Sequence, residues 1–193
     1  MKKRTTVAIS VGIITGIALL PNKSKAQDTS KSFHIGAEYD YLYSTHSTKF
    51  RGPTLLAEKD LDKYWAVGLG VGYNTCPFHP DNGYDLKDFQ LVPVFASLRY
   101  TFGRNRLFDP YALFKTGITF MGYDRKEGKT DAPYMRVNEL GWYDYIGGGS
   151  TVNLDKRVQL YLNVGLIGYK MSFNDLDINP HGVAGNIGFR VKI

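Results

Sequence analysis

The chain of 193 residues has one cysteine, Cys76. A lone thiol excludes an intramolecular disulfide and any cysteine metal cluster, and Cys76 reads as incidental. Past residue 20 there is no apolar run approaching the roughly 20 residues a membrane helix needs. A surplus of charge is missing as well. Of the +6 net charge, five basic residues (Lys2, Lys3, Arg4, Lys23 and Lys25) precede residue 27 without an acidic one among them. The remainder carries 19 basic against 18 acidic groups, which gives no case for nucleic acid.

The start of the chain has the form of an export signal. Lys2, Lys3 and Arg4 precede an apolar stretch over 7–20, and Ser24 and Ala26 occupy small-x-small positions before Gln27. About 14 apolar residues suit a secretory h-region and are too few for an anchor. Residues 1–26 are therefore expected to be a signal peptide, with cleavage after Ala26. No cysteine stands next to the apolar stretch, so this is not a lipoprotein leader. Residues 27–193 are of single-domain size, rich in Tyr, Phe and Gly.

What is present in that domain is alternation. In 182–193, Val183, Ile187, Phe189, Val191 and Ile193 share one parity; Ala184, Asn186, Gly188, Arg190 and Lys192 share the other. Successive side chains of a strand point to opposite faces, so this strand is apolar on one side only. Seven further segments read similarly. In 32–43, Phe33, Ile35, Ala37, Tyr39, Tyr41 and Tyr43 oppose His34, Gly36, Glu38 and Asp40. Around 51–60, Pro53 and the pair Leu55-Leu56 blur the pattern. From 65 to 73, Trp65, Val67, Leu69, Val71 and Tyr73 oppose Ala66 and three glycines. Segments 89–102 and 111–120 also divide into two faces, with Val92, Val94, Ala96, Leu98 and Tyr100 outward in one and Ala112, Phe114, Ile118 and Phe120 in the other, and 158–166 alternates cleanly. Segment 140–152 is interrupted by Gly147-Gly148-Gly149, with Trp142, Ile146 and Val152 expected outward and Asp144 near the outer rim.

Short links (61–63, 103–109, 155–157) interleave with longer polar ones (44–50, 74–88, 124–138, 171–181). That is the layout of an outer-membrane barrel with short periplasmic turns and long outer loops, and it puts both termini in the periplasm. A lipocalin-like barrel would turn the apolar parity inward. Two features of the polar parity favour lipid outside. It carries mid-strand charges, and glycines recur on it, as a crowded lumen requires and a solvated face does not. The expected fold is all-β: an eight-stranded antiparallel transmembrane β-barrel, an up-and-down meander.

The run Leu91-Val-Pro-Val-Phe-Ala-Ser-Leu-Arg-Tyr-Thr-Phe-Gly103, followed by Pro110-Tyr-Ala-Leu-Phe-Lys-Thr-Gly117, resembles small porin-family outer-membrane barrels of the OmpA/OmpX-like superfamily. The terminal strand resembles their closing strand, which usually ends in an aromatic; here the last residue is Ile193. The resemblance implies an eight-stranded outer-membrane barrel and a role for Ile187, Phe189, Val191 and Ile193 as the signal read by the barrel-insertion machinery. It implies little about activity, since members include anchors, adhesins, small-solute pores and a few enzymes.

Groups that could carry chemistry do not assemble into a set. His46 with Ser47, and His181 with Asp177, fall in expected outer loops, where an outer-leaflet lipid enzyme would keep nucleophile and base; no flanking pattern joins them. Asn174, Asp175 and Asp177 lack the Gly and terminal Glu of an EF-hand. Gly147-Gly148-Gly149-Ser150 has no Lys-Ser/Thr after it and is no phosphate loop. Cys76 and His79 give two ligands where structural zinc takes four. No catalytic, cofactor or metal residue is assigned. The charges on the polar parity are more informative: Glu38, Asp40 and Glu58 against Arg99, Lys115 and Arg190. An eight-stranded barrel is just wide enough for its own side chains to fill it, so these six are expected to pair across the lumen, Glu38 meeting Arg190 directly or through Asp40 at the seam. The expected role is structural or surface-interacting, by a monomer in outer-membrane lipid with extracellular loop partners. A narrow pore for small solutes is the alternative, and a lipid-modifying enzyme the next.

Overall fold

The computed structural model describes residues 32–45, 48–81, 83–103, 108–127, 133–170 and 179–193. The expected signal peptide lies outside them. Nine strands follow in order: β1 Phe33–Ser44, β2 Lys49–Asp60, β3 Trp65–Gly72, β4 Asn74–Asp81, β5 Tyr84–Thr101, β6 Phe108–Glu127, β7 Met135–Asn153, β8 Val158–Lys170 and β9 His181–Lys192. All neighbours pair antiparallel, and β1 pairs with both β2 and β9, closing the sheet. β3 and β4 are one stave broken at Tyr73, since both pair with β5 and β2. The ring therefore has eight staves. At the break the Tyr73 amide donates to Pro53 O at 2.9 Å, and its backbone presses on Gly52, where any Cβ would collide with it.

Register gives the shear. One outward row runs Trp142, Ile118, Val94, Val71, Leu55, Ala37, Phe189, Leu160 and back to β7 at Val152, ten residues from its start. Eight staves with this stagger and ordinary strand spacings tilt by about 40°, within the usual range for closed barrels.

The parity reading gives the two faces. Ile35, Leu69, Ile146, Leu162, Leu166 and Ile187 are exposed, while Glu38, Glu58, Arg99, Lys115 and Asn163 are buried. Aromatics form two belts: exposed Phe33, Phe102 and Phe108 with half-buried Trp65 and Tyr100 toward the termini, and exposed Tyr41, Tyr43, Tyr73, Phe120 and Trp142 toward the opposite end. An apolar wall between aromatic girdles is the signature of a barrel in lipid. Lumen glycines make room for rings: a Cβ on Gly70 would enter the Phe95 ring, and one on Gly188 would meet Tyr161 Cζ at 2.6 Å.

Two segments read as polar loops are ordered strand instead. Residues 74–88 form β4 and the start of β5, and 124–138 contain the end of β6 and the start of β7. Their physical cause is an apolar cluster at that end of the barrel, with Phe50, Cys76, Leu86, Phe89, Leu91, Met121 and Tyr123 all buried. Phe89 stacks on Tyr123 with centroids 5.2 Å apart and meets Phe50 edge-on at 5.3 Å. Alternation hid this because β5 carries a register irregularity between Lys87 and Gln90, with Asp88 at φ 49°. A bulge of this kind flips the parity: Leu86 and Phe89 both turn inward. The result is a raised wall, β4 to β7, on one side of the ring.

A filled lumen as the candidate functional site

The strand period delivers every member of the charge cluster to the interior. Glu38 lies five residues from both Phe33 and Tyr43, hence at half height on β1, and Lys115 occupies the corresponding middle of β6. The Lys115 ammonium donates to Glu38 Oε1, and their side chains are 1% and 0% exposed. Tyr161 OH donates to Glu38 Oε2 at 3.2 Å. The Lys115 nitrogen also sits 5.0 Å from the Phe95 ring centre and 5.4 Å from that of Tyr145, within cation–π range. Above this pair, Phe95, Tyr143 and Tyr169 pack ring to ring at 5.3 and 5.2 Å. Tyr145 OH donates to Asn163 Oδ1 at 2.6 Å, and Asn163 donates on to Tyr111 OH at 3.3 Å.

Toward the termini a second cluster forms. Arg190 Nη1 donates to Glu58 Oε2 at 2.9 Å, Nη2 to Thr151 Oγ1 at 3.1 Å, and Nε to Gln159 Oε1. Arg99 Nη2 lies 3.4 Å from Glu58 and 3.8 Å from Asp60. His34 Nε2 is 3.3 Å from Asp60 Oδ2.

The expected seam contact between Glu38 and Arg190 is not formed. Arg190 is paired in register with Gly36, two residues below Glu38, and its fork reaches over β1 to Glu58 on β2. Asp40 takes no cation among the described residues either. It accepts from Thr54 Oγ1 at 2.6 Å and from Asn186 Nδ2, its register partner on β9. The seam is thus tied by a carboxylate and two neutral donors. Asp60, His34, Tyr161, Asn163, Gln159 and Thr151 also belong to the interior network; parity turns His34, Gln159, Tyr161 and Asn163 inward, but their hydrogen-bond roles do not follow from it. Asp60 was legible, two residues beyond inward Glu58.

The remaining candidates do not converge. His46, Ser47, Asn174, Asp175 and Asp177 lie outside the described residues, as does the side chain of His79. His181 Nδ1–H donates to Asn179 O at 2.7 Å, leaving Nε2 to accept from Thr45 Oγ1 at 3.3 Å. Cys76 donates to Phe78 O at 3.1 Å. Among the described residues, no three His, Cys, Asp or Glu side chains gather as a metal site. Gly147–Gly149 sit within β7, in extended strand rather than a loop. Ile187, Phe189 and Ile193 are exposed on the outward face of β9 and Val191 is half-buried there. Asp144 also points outward, accepting from Thr116 Oγ1 at 2.7 Å, one position from Trp142 along that face.

Eight staves, a stagger of ten, two aromatic belts and a polar interior define the fold of the small eight-stranded outer-membrane β-barrels. Solved structures agree. The chain is similar to Neisserial surface protein A (TM-score 0.54, 14% identity, 84% of this chain and 96% of that one). It is similar to Ail, the attachment invasion locus protein of Yersinia pestis (0.51, 14%, 84% and 97%). It is similar too to a major outer membrane protein from Thermus thermophilus (0.56, 11%, 85% and 100%). No family model matches the sequence, and neither does any curated protein.

Proposed function

We propose that this protein resides in the bacterial outer membrane as a non-conducting, non-catalytic barrel whose work is structural and surface-interacting. The observation that carries this is the lumen at half height. There a desolvated Lys115–Glu38 pair, roofed by Phe95, Tyr143 and Tyr145, plugs the space between the two mouths. Binding surface is offered instead by the raised wall. On it Lys87 lies 4.4 Å and Lys126 5.8 Å from the Tyr134 ring centre, and Arg125 lies 5.4 Å from that of Tyr84. Such cation–aromatic groups, from half-buried to exposed, suit recognition at a cell surface. The reading places the raised wall outside the cell and both termini in the periplasm, with β9 presenting its apolar parity to the insertion machinery. Names of two structural relatives, a surface protein and an attachment protein, agree with an outward-facing role.

Planar-bilayer recording of the refolded monomer tests it. The wild type should show no stable conductance. A variant with Phe95→Ala and Tyr143→Ala should show discrete openings. Stable conductance in the wild type would overturn the reading in favour of a narrow pore.

A further inference from the structure

We propose that the mouth of the lumen at the terminus end is a binding site for a small oxyanion, a carboxylate or phosphate group. Below the Lys115–Glu38 seal the barrel opens into a cavity of about 430 Å³, a size typical of small-molecule sites. Its floor is Arg99, which is 2% exposed. Only Nη2 of that guanidinium meets carboxylates, Glu58 at 3.4 Å and Asp60 at 3.8 Å. Nε and Nη1 have no hydrogen-bond partner among the described residues, and neither has Nδ1 of His34, which lines the same cavity.

The acceptors around the cavity are already engaged. Asp60 faces His34 and Arg99, Asp109 accepts from Asn153 Nδ2 at 2.9 Å, and Asp155 accepts from the Lys156 amide of its own turn. Each guanidinium nitrogen of Arg190 already has an acceptor, in Glu58, Gln159 or Thr151. Donors are therefore left over: two nitrogens of a buried arginine at the floor, and the Lys156 and Lys192 chains at the rim. Buried N–H groups of a charged fork call for an acceptor. An oxyanion supplies several at once, and the guanidinium plane matches carboxylate and phosphate geometry. The depth of Arg99 favours a free solute over a headgroup. In the orientation proposed above, the site draws from the periplasm.

The test uses the full chain in zwitterionic nanodiscs, with the Arg99 Nε–H resonance followed by NMR. Inorganic phosphate and acetate are titrated against chloride at equal ionic strength. Both should give a saturating shift, and chloride none. Lys156→Gln with Lys192→Gln, both on the rim and outside the ion pairs of the described residues, should weaken phosphate by about tenfold. Arg99→Lys should abolish the rise in urea midpoint that phosphate produces in the wild type; if it fails to fold, the rim variant still decides. Absence of a saturable shift, an equal response to chloride, or unchanged affinity in the rim variant would each overturn the site. A shift in phosphatidylglycerol nanodiscs without soluble phosphate would identify a lipid headgroup as the source of the same oxyanion.

Discussion

Removing one half of the central ion pair should be among the costliest single changes in this barrel. Lys115→Met keeps the length of the chain and deletes the ammonium, leaving Glu38 with Tyr161 as its remaining polar partner. The pair is essentially without solvent, 1% and 0% exposed, so the relevant scale is that of a buried charge stripped of its partner, about 3–5 kcal/mol. The rim pair Arg136–Asp124, 42% and 33% exposed, sets the contrast at under about 1 kcal/mol. Glu38→Gln in the Lys115→Met background should recover much of the loss, because both charges then leave together. Urea unfolding in liposomes, followed by tryptophan fluorescence and gel mobility, reads all three variants. The decisive comparison is a second cycle, Glu38→Gln with Arg190→Gln. These residues do not touch, so their coupling should lie within about 0.5 kcal/mol of zero. A Lys115→Met cost below about 1 kcal/mol, or strong coupling of Glu38 to Arg190 and none to Lys115, would refute the assignment of partners.

Lipid exposure should follow depth: Leu162→Arg, 56% exposed on the apolar wall, should cost about 2–4 kcal/mol in bilayer, whereas Leu154→Arg in the turn beyond the girdle should cost about 0–1. Asn163→Arg is expected to be costly for a different reason, since Asn163 is buried between Tyr145 and Tyr111 and has no room for a longer chain. Deleting Phe189–Ile193 removes residues paired to both β1 and β8, and pulse-chase fractionation should find a protease-sensitive chain outside the membrane. Cys76, 3% exposed and with its thiol pKa pushed up by burial, should resist maleimide at pH 7 in the folded protein and react at once in urea. Raising the pH should speed labelling only above the ordinary thiol range, because the thiolate is the reactive form.

Most of the barrel was readable because one physical rule, alternation with period two, governs a wall that has lipid on one side and packed polar groups on the other. β1, β3 and β8 needed nothing else, and Glu38, Glu58, Arg99, Lys115 and Arg190 fell inside by the same count. The rule fails where the chain leaves the bilayer. Above the girdle both faces of β4 and β5 meet protein or water, a bulge at Asp88 reverses the parity, and residues 74–88 pass for a loop. A signal was there nonetheless: Asn82-Gly83 between Asp81 and Tyr84, paired across the turn, is a strong two-residue hairpin sequence. Partner choice in the lumen was beyond parity altogether. It depends on the stagger of ten, which sets Gly36 rather than Glu38 beside Arg190 and decides which inward rings lie against each charge.

That stagger has a practical use. The outward row from Trp142 to Val152 crosses all eight staves while descending ten residues of strand, about 25 Å at a tilt of about 40°. Each of the eight steps along it therefore goes about 3 Å deeper. A single hydrogen-bonded row is a built-in depth gauge. A nitroxide or fluorophore placed in turn at Trp142, Ile118, Val94, Val71, Leu55, Ala37, Phe189, Leu160 and Val152 would sample the bilayer from one headgroup layer to the other at near-constant intervals.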